Sequence, residues 1–233
     1  MTRGDGMHTN GTTEMKPARS AKVEPPSERI AIKPINFQQI AVEIRGTSPL
    51  MQARFSKKAE IMAKMASEDK PATKGRGATR PPRDYDKDFR EAMHLSTEGW
   101  NGIPAPAFRN ACIDACRGAG YQMTRAKMSI FILGDGFDRD DGMPLVKLIA
   151  GEAERTDLPV RNDNGSVDIR VRPMWREWGC VLRVRFDGDQ FTASDAVNLI
   201  ERAGHTVGVG EGRHFSKNSS GLGYGCFEVR RGS

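Results

Sequence analysis

Apolar and polar positions alternate in three short runs. Phe37, Ile40, Val42 and Ile44 are the apolar members of the run Phe37 to Arg45, with one slip near Gln38-Gln39. That period predicts a strand, ended by the turn residues Gly46-Thr47-Ser48-Pro49. Val167, Ile169 and Val171 oppose Asp168, Arg170 and Arg172 across Val167 to Met174. Cys180, Leu182, Val184 and Phe186 oppose Arg183 and Arg185. Trp175 to Gly179 lies between these two runs and reads as the connection of a hairpin. Further strands are expected over Lys127 to Leu133 and Leu145 to Ala150.

Two segments change period. Ala107 to Arg117 places Phe108, Ala111, Cys112 and Ala115 on one helical face, and Gly118 and Gly120 close that helix. Thr192 to Ala203 forms a second helix, with an N-cap at Thr192 or Ser194, core contacts from Val197, Leu199 and Ile200, and Gly204 as its stop. Phe55 to Met65 has helical spacing too. The order strand, helix, strands, hairpin, helix, strand predicts the α+β class: a ferredoxin-like or RRM-like antiparallel sheet with two packing helices on one face. Residues 1–28 are polar, carry Pro17, Pro25 and Pro26 and balance their charges, so they are expected to be a disordered arm. Residues 29–233 form the domain, with a basic insertion at 53–98.

Charge sharpens this picture. The 233 residues carry a net charge of +6 and a pI of about 9.3, which favours a polyanionic partner. Between Ala53 and Arg90, eleven Lys or Arg, including Lys57 and Lys58, face six Asp or Glu. A basic loop on a compact domain suits a nucleic-acid backbone, and solvation of a surface loop is the plainer alternative. No run approaches the roughly 18 apolar residues of a membrane span, and no apolar leader opens the chain. Cys112, Cys116, Cys180 and Cys226 make neither a zinc spacing nor a disulfide framework, so they read as buried free thiols. The four histidines form no metal cluster. Asp135, Asp138, Asp140 and Asp141 lack the closing Glu of a calcium loop and read as an acidic turn. No metal and no cofactor is expected.

Seven glycines lie between Gly204 and Gly225. Gly208, Gly210 and Gly212 precede Arg213, His214 and Lys217; Gly221, Gly223 and Gly225 follow. Such density suits a backbone that approaches something closely or holds positive φ. With cations in its middle, the segment reads as a phosphate-contacting loop between two strands. It lacks the Gly-Lys-Ser/Thr ending of a nucleotide P-loop.

Three segments together carry a resemblance. Gly46-Thr-Ser-Pro-Leu-Met51 follows the first strand. Ile103-Pro-Ala-Pro-Ala-Phe-Arg-Asn-Ala-Cys112 leads into the first helix. Gly208-Val-Gly-Glu-Gly-Arg-His-Phe215 continues to Gly221-Leu-Gly-Tyr-Gly-Cys-Phe-Glu-Val229. Over Phe37 to Val229 the chain resembles the RAMP superfamily, the RRM-like backbone subunits of CRISPR effector complexes, and a group of phage-encoded proteins. The resemblance implies a non-catalytic subunit that polymerises along a single strand, with the insertion as a thumb-like contact. The spacing between the two glycine clusters is longer than in that family's loop. No cleavage residue of the family's nucleases carries over.

The expected function is therefore binding of single-stranded DNA or RNA with self-assembly along the strand, without catalysis, as a homo-oligomer or filament in the cytoplasm (of a bacterial host for a phage protein). Arg170, Arg172, Arg183 and Arg185 would form one cationic patch on the hairpin, Trp175 would stack on bases, and Arg213, His214, Lys217, Lys57 and Lys58 would add contacts. Two other readings stand beside it. One is a structural assembly protein with no nucleic-acid role. The other is a metal-independent ribonuclease using His205 or His214.

Overall fold

The computed structural model describes residues 32–54, 84–161, 167–216 and 219–230. In chain order its elements are β1 (Phe37–Gly46), β2 (Leu50–Met51), α1 (Tyr85–Glu91), β3 (Gly102–Pro104), α2 (Ala105–Ala119), α3 (Met123–Ser129), β4 (Ile130–Leu133), β5 (Gly136–Phe137), β6 (Pro144–Lys147), β7 (Ile149–Ala150), β8 (Glu154–Arg161), β9 (Val167–Trp175), β10 (Trp178–Asp187), α4 (Ala193–Thr206) and β11 (Phe227–Val229). The expected arm at 1–28, the helix over Phe55 to Met65, and Lys57, Lys58 and Lys217 lie outside the described residues.

The principal sheet has the order β11-β1-β10-β4, and each of these pairs is antiparallel. Taking β1, α2, β4, β10, α4 and β11 in sequence gives βαββαβ with spatial order 4-1-3-2. That is the ferredoxin-like arrangement the periodicity predicts. The alternation in β1 and β10 aligns in register: Ile40 opposes Val184, Val42 opposes Leu182 and Ile44 opposes Cys180. These side chains therefore share one face. They meet Phe108, Ala111, Cys112 and Ala115 of α2 and Ala196, Leu199, Ile200 and Ala203 of α4 in a single core. Phe227 closes one end, edge-on to Phe108 at 5.7 Å and to Trp178 at 6.2 Å.

Local chemistry explains the helix ends. Thr192 caps α4 in a reciprocal box with Asp195, which satisfies two donors that the helix itself leaves orphaned. Gly120 ends α2 in the left-handed conformation at φ 70°. Gly204 does not stop α4, which continues to Thr206. Its role is steric: a Cβ there would sit 2.0 Å from the Phe227 carbonyl oxygen.

The expected hairpin of β9 and β10 does not form. A strand has two hydrogen-bonding edges. Along β10 these are taken by β1 on one side and by β4 and β7 on the other. β9 pairs instead with β8 and β2 in a second sheet. Both indoles at the junction are buried, Trp175 at 1% and Trp178 at 4% exposure, so the chain passes from one sheet to the other there. A third small sheet, β3-β6-β5, joins the strand before α2 to two strands that lie between β4 and β7 in the chain. Two further strand expectations shift. Lys127 to Ser129 belongs to α3, so the strand starts at Ile130. Leu145 to Ala150 splits between β6 and β7, which join different sheets.

Gly204→Ala tests the contact of α4 with β11. At an ordinary helical position alanine gains up to about 1 kcal/mol over glycine. Here the overpacking against Phe227 should instead cost about 2–3 kcal/mol, read by urea unfolding. A gain in stability would show that this close approach is not a constraint.

Candidate functional site

The glycine loop runs from α4 to β11, not between two strands as its sequence suggested. All six of Gly208, Gly210, Gly212, Gly221, Gly223 and Gly225 hold positive φ. The close approaches at Gly208, Gly210 and Gly225 are to the protein's own backbone. A Cβ at Gly225 would lie 1.7 Å from the Val209 carbonyl oxygen, and one at Gly210 would lie 2.4 Å from that of Met51. The amides are used in the same way: Val209 N donates to Gly225 O at 2.9 Å, Glu211 N to Met51 O at 2.9 Å and Gly225 N to Pro49 O at 2.8 Å. The loop is thus sewn to the segment between β1 and β2.

This stitching shapes a groove of about 840 Å³. One wall is the loop, with Gly210, Glu211, Gly212 and Arg213. Another is the start of α2, with Ile103, Pro104 and Ala107. Leu158, Pro159 and Arg170 of the β8–β9 pair face them, and His94 lies on the lining as well. The N-cap of α2 is Pro104, and no side chain caps that end. Its positive dipole end therefore borders the groove, where Pro104 and Pro106 carry no N–H and only the Ala105 and Ala107 amides lack an intrahelical acceptor. A smaller hollow of about 270 Å³ continues past Ala107 and Arg213 to Asn110 and Asp114.

The arginines divide by what holds them. Arg170 lines the groove without an ion pair among the described residues, and Arg213 donates to the Gly210 carbonyl at 3.0 Å. Arg172 pairs with Glu211. Arg183 lies in the other sheet, bound to Asp135 at 2.8 Å. Arg185 sits over the rings of Phe37 and Phe131, 4.9 and 5.2 Å from their centroids. The expected four-arginine patch is therefore corrected, because β9 and β10 belong to different sheets. Trp175 is corrected too: as a core side chain it offers no face to a base. His214 is exposed beside Gly223. His205 bonds Glu201 at 3.1 Å on the surface of α4.

The structure adds a buried polar cluster that sequence pattern does not reveal. Asp138, with a fully buried side chain, accepts from Arg54 Nη2 at 2.7 Å and contacts His94 Nδ1 at 3.0 Å. Arg54 also pairs with Asp140, whose carboxyl its guanidinium holds below the usual carboxylate range. Gln52 accepts from His94 N at 3.1 Å and donates to Gly102 O at 2.9 Å. Burial lowers the His94 pKa below 6.5, outweighing the hydrogen bond and charge of Asp138. Arg54 is thus not one of the free cations of the insertion, and Asp138 is no surface turn residue. The only sequence signal is a lone histidine and an acidic run, with His94 and Asp138 44 residues apart.

The four cysteines are buried free thiols; burial pushes Cys112 up to about 12. Among the described residues no three His, Cys, Asp or Glu gather as a metal site, and no helix is long and apolar enough to cross a membrane.

No known family profile matches the chain, and no curated protein does. Among solved structures it is similar to the crystal structure of Cmr6 from Pyrococcus furiosus, at 11% identity and a TM-score of 0.38, over 84% of this chain and 100% of that one.

Gly225→Ala should abolish or severely weaken folding, because its Cβ would meet fixed backbone. Gly221→Ala meets nothing within 4 Å and should cost only the positive-φ strain of roughly 1–2 kcal/mol. Equal denaturation midpoints for the two variants would refute the stitched-loop account.

His94 gives a pH dependence of defined sign. The unfolded chain takes up this proton near pH 6.5, whereas the folded chain does so only at lower pH. The stability it contributes is complete above pH 6.5 and declines as pH falls below that value. Unfolding free energy should therefore drop between about pH 7.5 and about pH 5.5, and drop less in His94→Asn. Identical pH slopes in the two proteins would contradict the buried neutral imidazole.

Proposed function

We propose that this protein is a distant RAMP-like subunit that binds single-stranded nucleic acid without cleaving it, with the strand lying in the groove between the glycine loop, the start of α2 and the β8–β9 pair. The observation that carries the reading is the groove's lining. An uncapped helix N-terminus, Arg170 and Arg213 converge on it, while Glu211 is paired to Arg172 and offers little repulsion to an anion. Phosphate oxygens suit all three contributors, and none of them distinguishes one base from another. Length favours a strand: the groove and its continuation are larger than one phosphate needs.

The glycine loop takes a different part from the one its sequence suggested. Its amides are largely used inside the protein, so it builds the wall instead of cradling phosphate. The basic balance of the chain, +6 overall, supports an electrostatic affinity with little sequence preference. Self-assembly along the strand belongs to the same reading, with each copy covering a few nucleotides. The surface of the principal sheet away from the helices, where Arg183 and Arg185 are occupied, contributes less.

Titration of a labelled oligonucleotide at several salt concentrations tests this. The double change Arg170→Gln, Arg213→Gln should weaken binding and reduce the log–log salt slope by roughly 0.7 for each phosphate that is no longer neutralised. Arg183→Gln should leave the slope near that of the parent protein. A slope unchanged in the groove variant, or reduced only in the Arg183 variant, would move the strand elsewhere. Light scattering of the same mixtures reads assembly: a mass that stays at one protein per strand on long oligonucleotides would remove the filament.

A further inference from the structure

Beyond the groove, one acidic side chain stands where phosphate gains nothing from it. Asp114 shares a face of α2 with Ala107, Asn110 and Ala111, at spacings of three and four residues. That face forms one side of the hollow of about 270 Å³, and Val207, Val209 and Gly210 form another. Arg213 stands where the hollow opens into the groove and lines both. Asp114 is half-buried, yet it has neither an ion pair nor a hydrogen bond among the described residues. The two arginines of α2 are turned elsewhere. Arg117 lies over the Phe215 ring, 5.7 Å from its centroid, and Arg109 donates to the Ile130 carbonyl at 3.1 Å. The Asn110 amide, one turn before Asp114, is likewise without a partner among the described residues. A half-buried carboxylate with no partner gives up hydration without return. It calls for a donor, and phosphate oxygens are acceptors. The hollow is slightly smaller than the roughly 300 Å³ at which ligand pockets begin, which suits one flat heterocycle between alanine and valine side chains, not a whole nucleotide.

We propose that this hollow reads one guanine of the bound strand: Asp114 accepts from the base N1–H and 2-amino group, and the Asn110 amide donates to O6. The proposal rests on the strand occupying the groove. The chemistry selects the base. The guanine pairing edge carries two adjacent donors, which match the two oxygens of a carboxylate, and then an acceptor, which matches an amide N–H. Adenine and cytosine present one amino group beside an acceptor ring nitrogen. Thymine and uracil present one N–H between two carbonyls. Each of these sets an acceptor against Asp114. Arg213 spends Nη1 on the Gly210 carbonyl and keeps its other donors for the phosphate at the junction. Phosphate contacts position a strand and base contacts specify it. The groove therefore holds any strand, and the hollow adds a preference for one base within each footprint.

Affinities for single strands of about 15 nucleotides, long enough for a site of ordinary size, test this. The reference strand is oligothymidylate, and four others carry one central guanine, inosine, adenine or cytosine. The guanine strand should bind at least about fivefold more tightly than the thymine, adenine and cytosine strands, the lower end for a bidentate base contact. Inosine keeps N1–H and O6 and lacks the 2-amino group, so its strand should fall between. Asp114→Asn replaces one accepting oxygen by a donor and should bring the guanine strand to the level of the thymine strand. Equal affinity for all five strands would overturn the proposal, as would a preference for another base or an inosine strand equal to the guanine strand. So would a guanine preference that survives in a folded Asp114→Asn protein. If that variant fails to fold, guanine against inosine on the parent protein decides. GMP that displaces the thymine strand as well as the guanine strand does, with AMP inert, would give the hollow to a free nucleotide and overturn the strand reading of it. Failure to bind any strand, or binding indifferent to Arg170→Gln with Arg213→Gln, would remove the groove and this proposal with it. A groove that passes that test without a base preference would remove this proposal alone.

Discussion

The segment Thr47 to Met51 is the joint on which the rest depends. It leaves the principal sheet at β1 and enters the second sheet as β2, where Leu50 and Met51 pair with Trp175 and Met174. Its other side is bound to the glycine loop: Thr47 N donates to Cys226 O, while Pro49 O and Met51 O accept from Gly225 N and Glu211 N. Backbone polar groups taken from water must find partners. Here a short strip satisfies its groups between two sheets and a loop. Cys226 N donates to Ser48 Oγ, and Trp178 Nε1 donates to Ser48 O. The groove exists because this strip of backbone fixes the loop and the β8–β9 pair on either side of the start of α2.

Such a joint demands glycine, and that demand can look like a ligand motif in a sequence. The same residue type admits a phosphate or a carbonyl oxygen. In this protein Gly225 and Gly210 admit carbonyls. The cations near the loop are likewise partly committed. Arg172 neutralises Glu211, and Arg213 reaches back to Gly210. Arg170 enters the groove without an ion pair among the described residues. The field in the groove is therefore modest, with Arg170 and the α2 terminus as its positive contributors.

The Arg54–Asp138–His94 cluster is a costly way to build a wall. Burying ions forfeits several kcal/mol of solvation each, recovered only when geometry and hydrogen bonds are good. Asp138 recovers it through two charged or polar partners and through the Asp140 N–H, which donates to its Oδ1 at 2.9 Å. An apolar cluster of similar volume would serve stability equally well. The cluster also ties Arg54, near the start of the basic insertion, to His94, beyond α1 near its end.

The sequence by itself determined the two long strands of the principal sheet and the two helices that pack on it. Period-2 runs at Phe37 to Arg45 and Cys180 to Phe186 bury one face each, and a one-residue slip would turn their apolar sets to solvent. The N-cap at Thr192, one of the two offered with Ser194, and the glycine stop at Gly120 are equally local and were legible too, although Gly118, named with Gly120, lies inside α2. Composition gave the net positive charge, and positive φ at the glycines followed from their density. Tertiary structure alone decided partners. Whether β9 joins β10 depends on which strands already occupy both edges of β10, and no local pattern records that. Whether an arginine is free depends on an acid far along the chain, as with Arg172 and Glu211 or Arg183 and Asp135. Whether a glycine faces a ligand or a carbonyl depends on the segment opposite. The pairing of His94 with Asp138 joins two loops through a fold that must form first, because hydrogen bonds of a few ångströms between distant residues are properties of packing, not of periodicity.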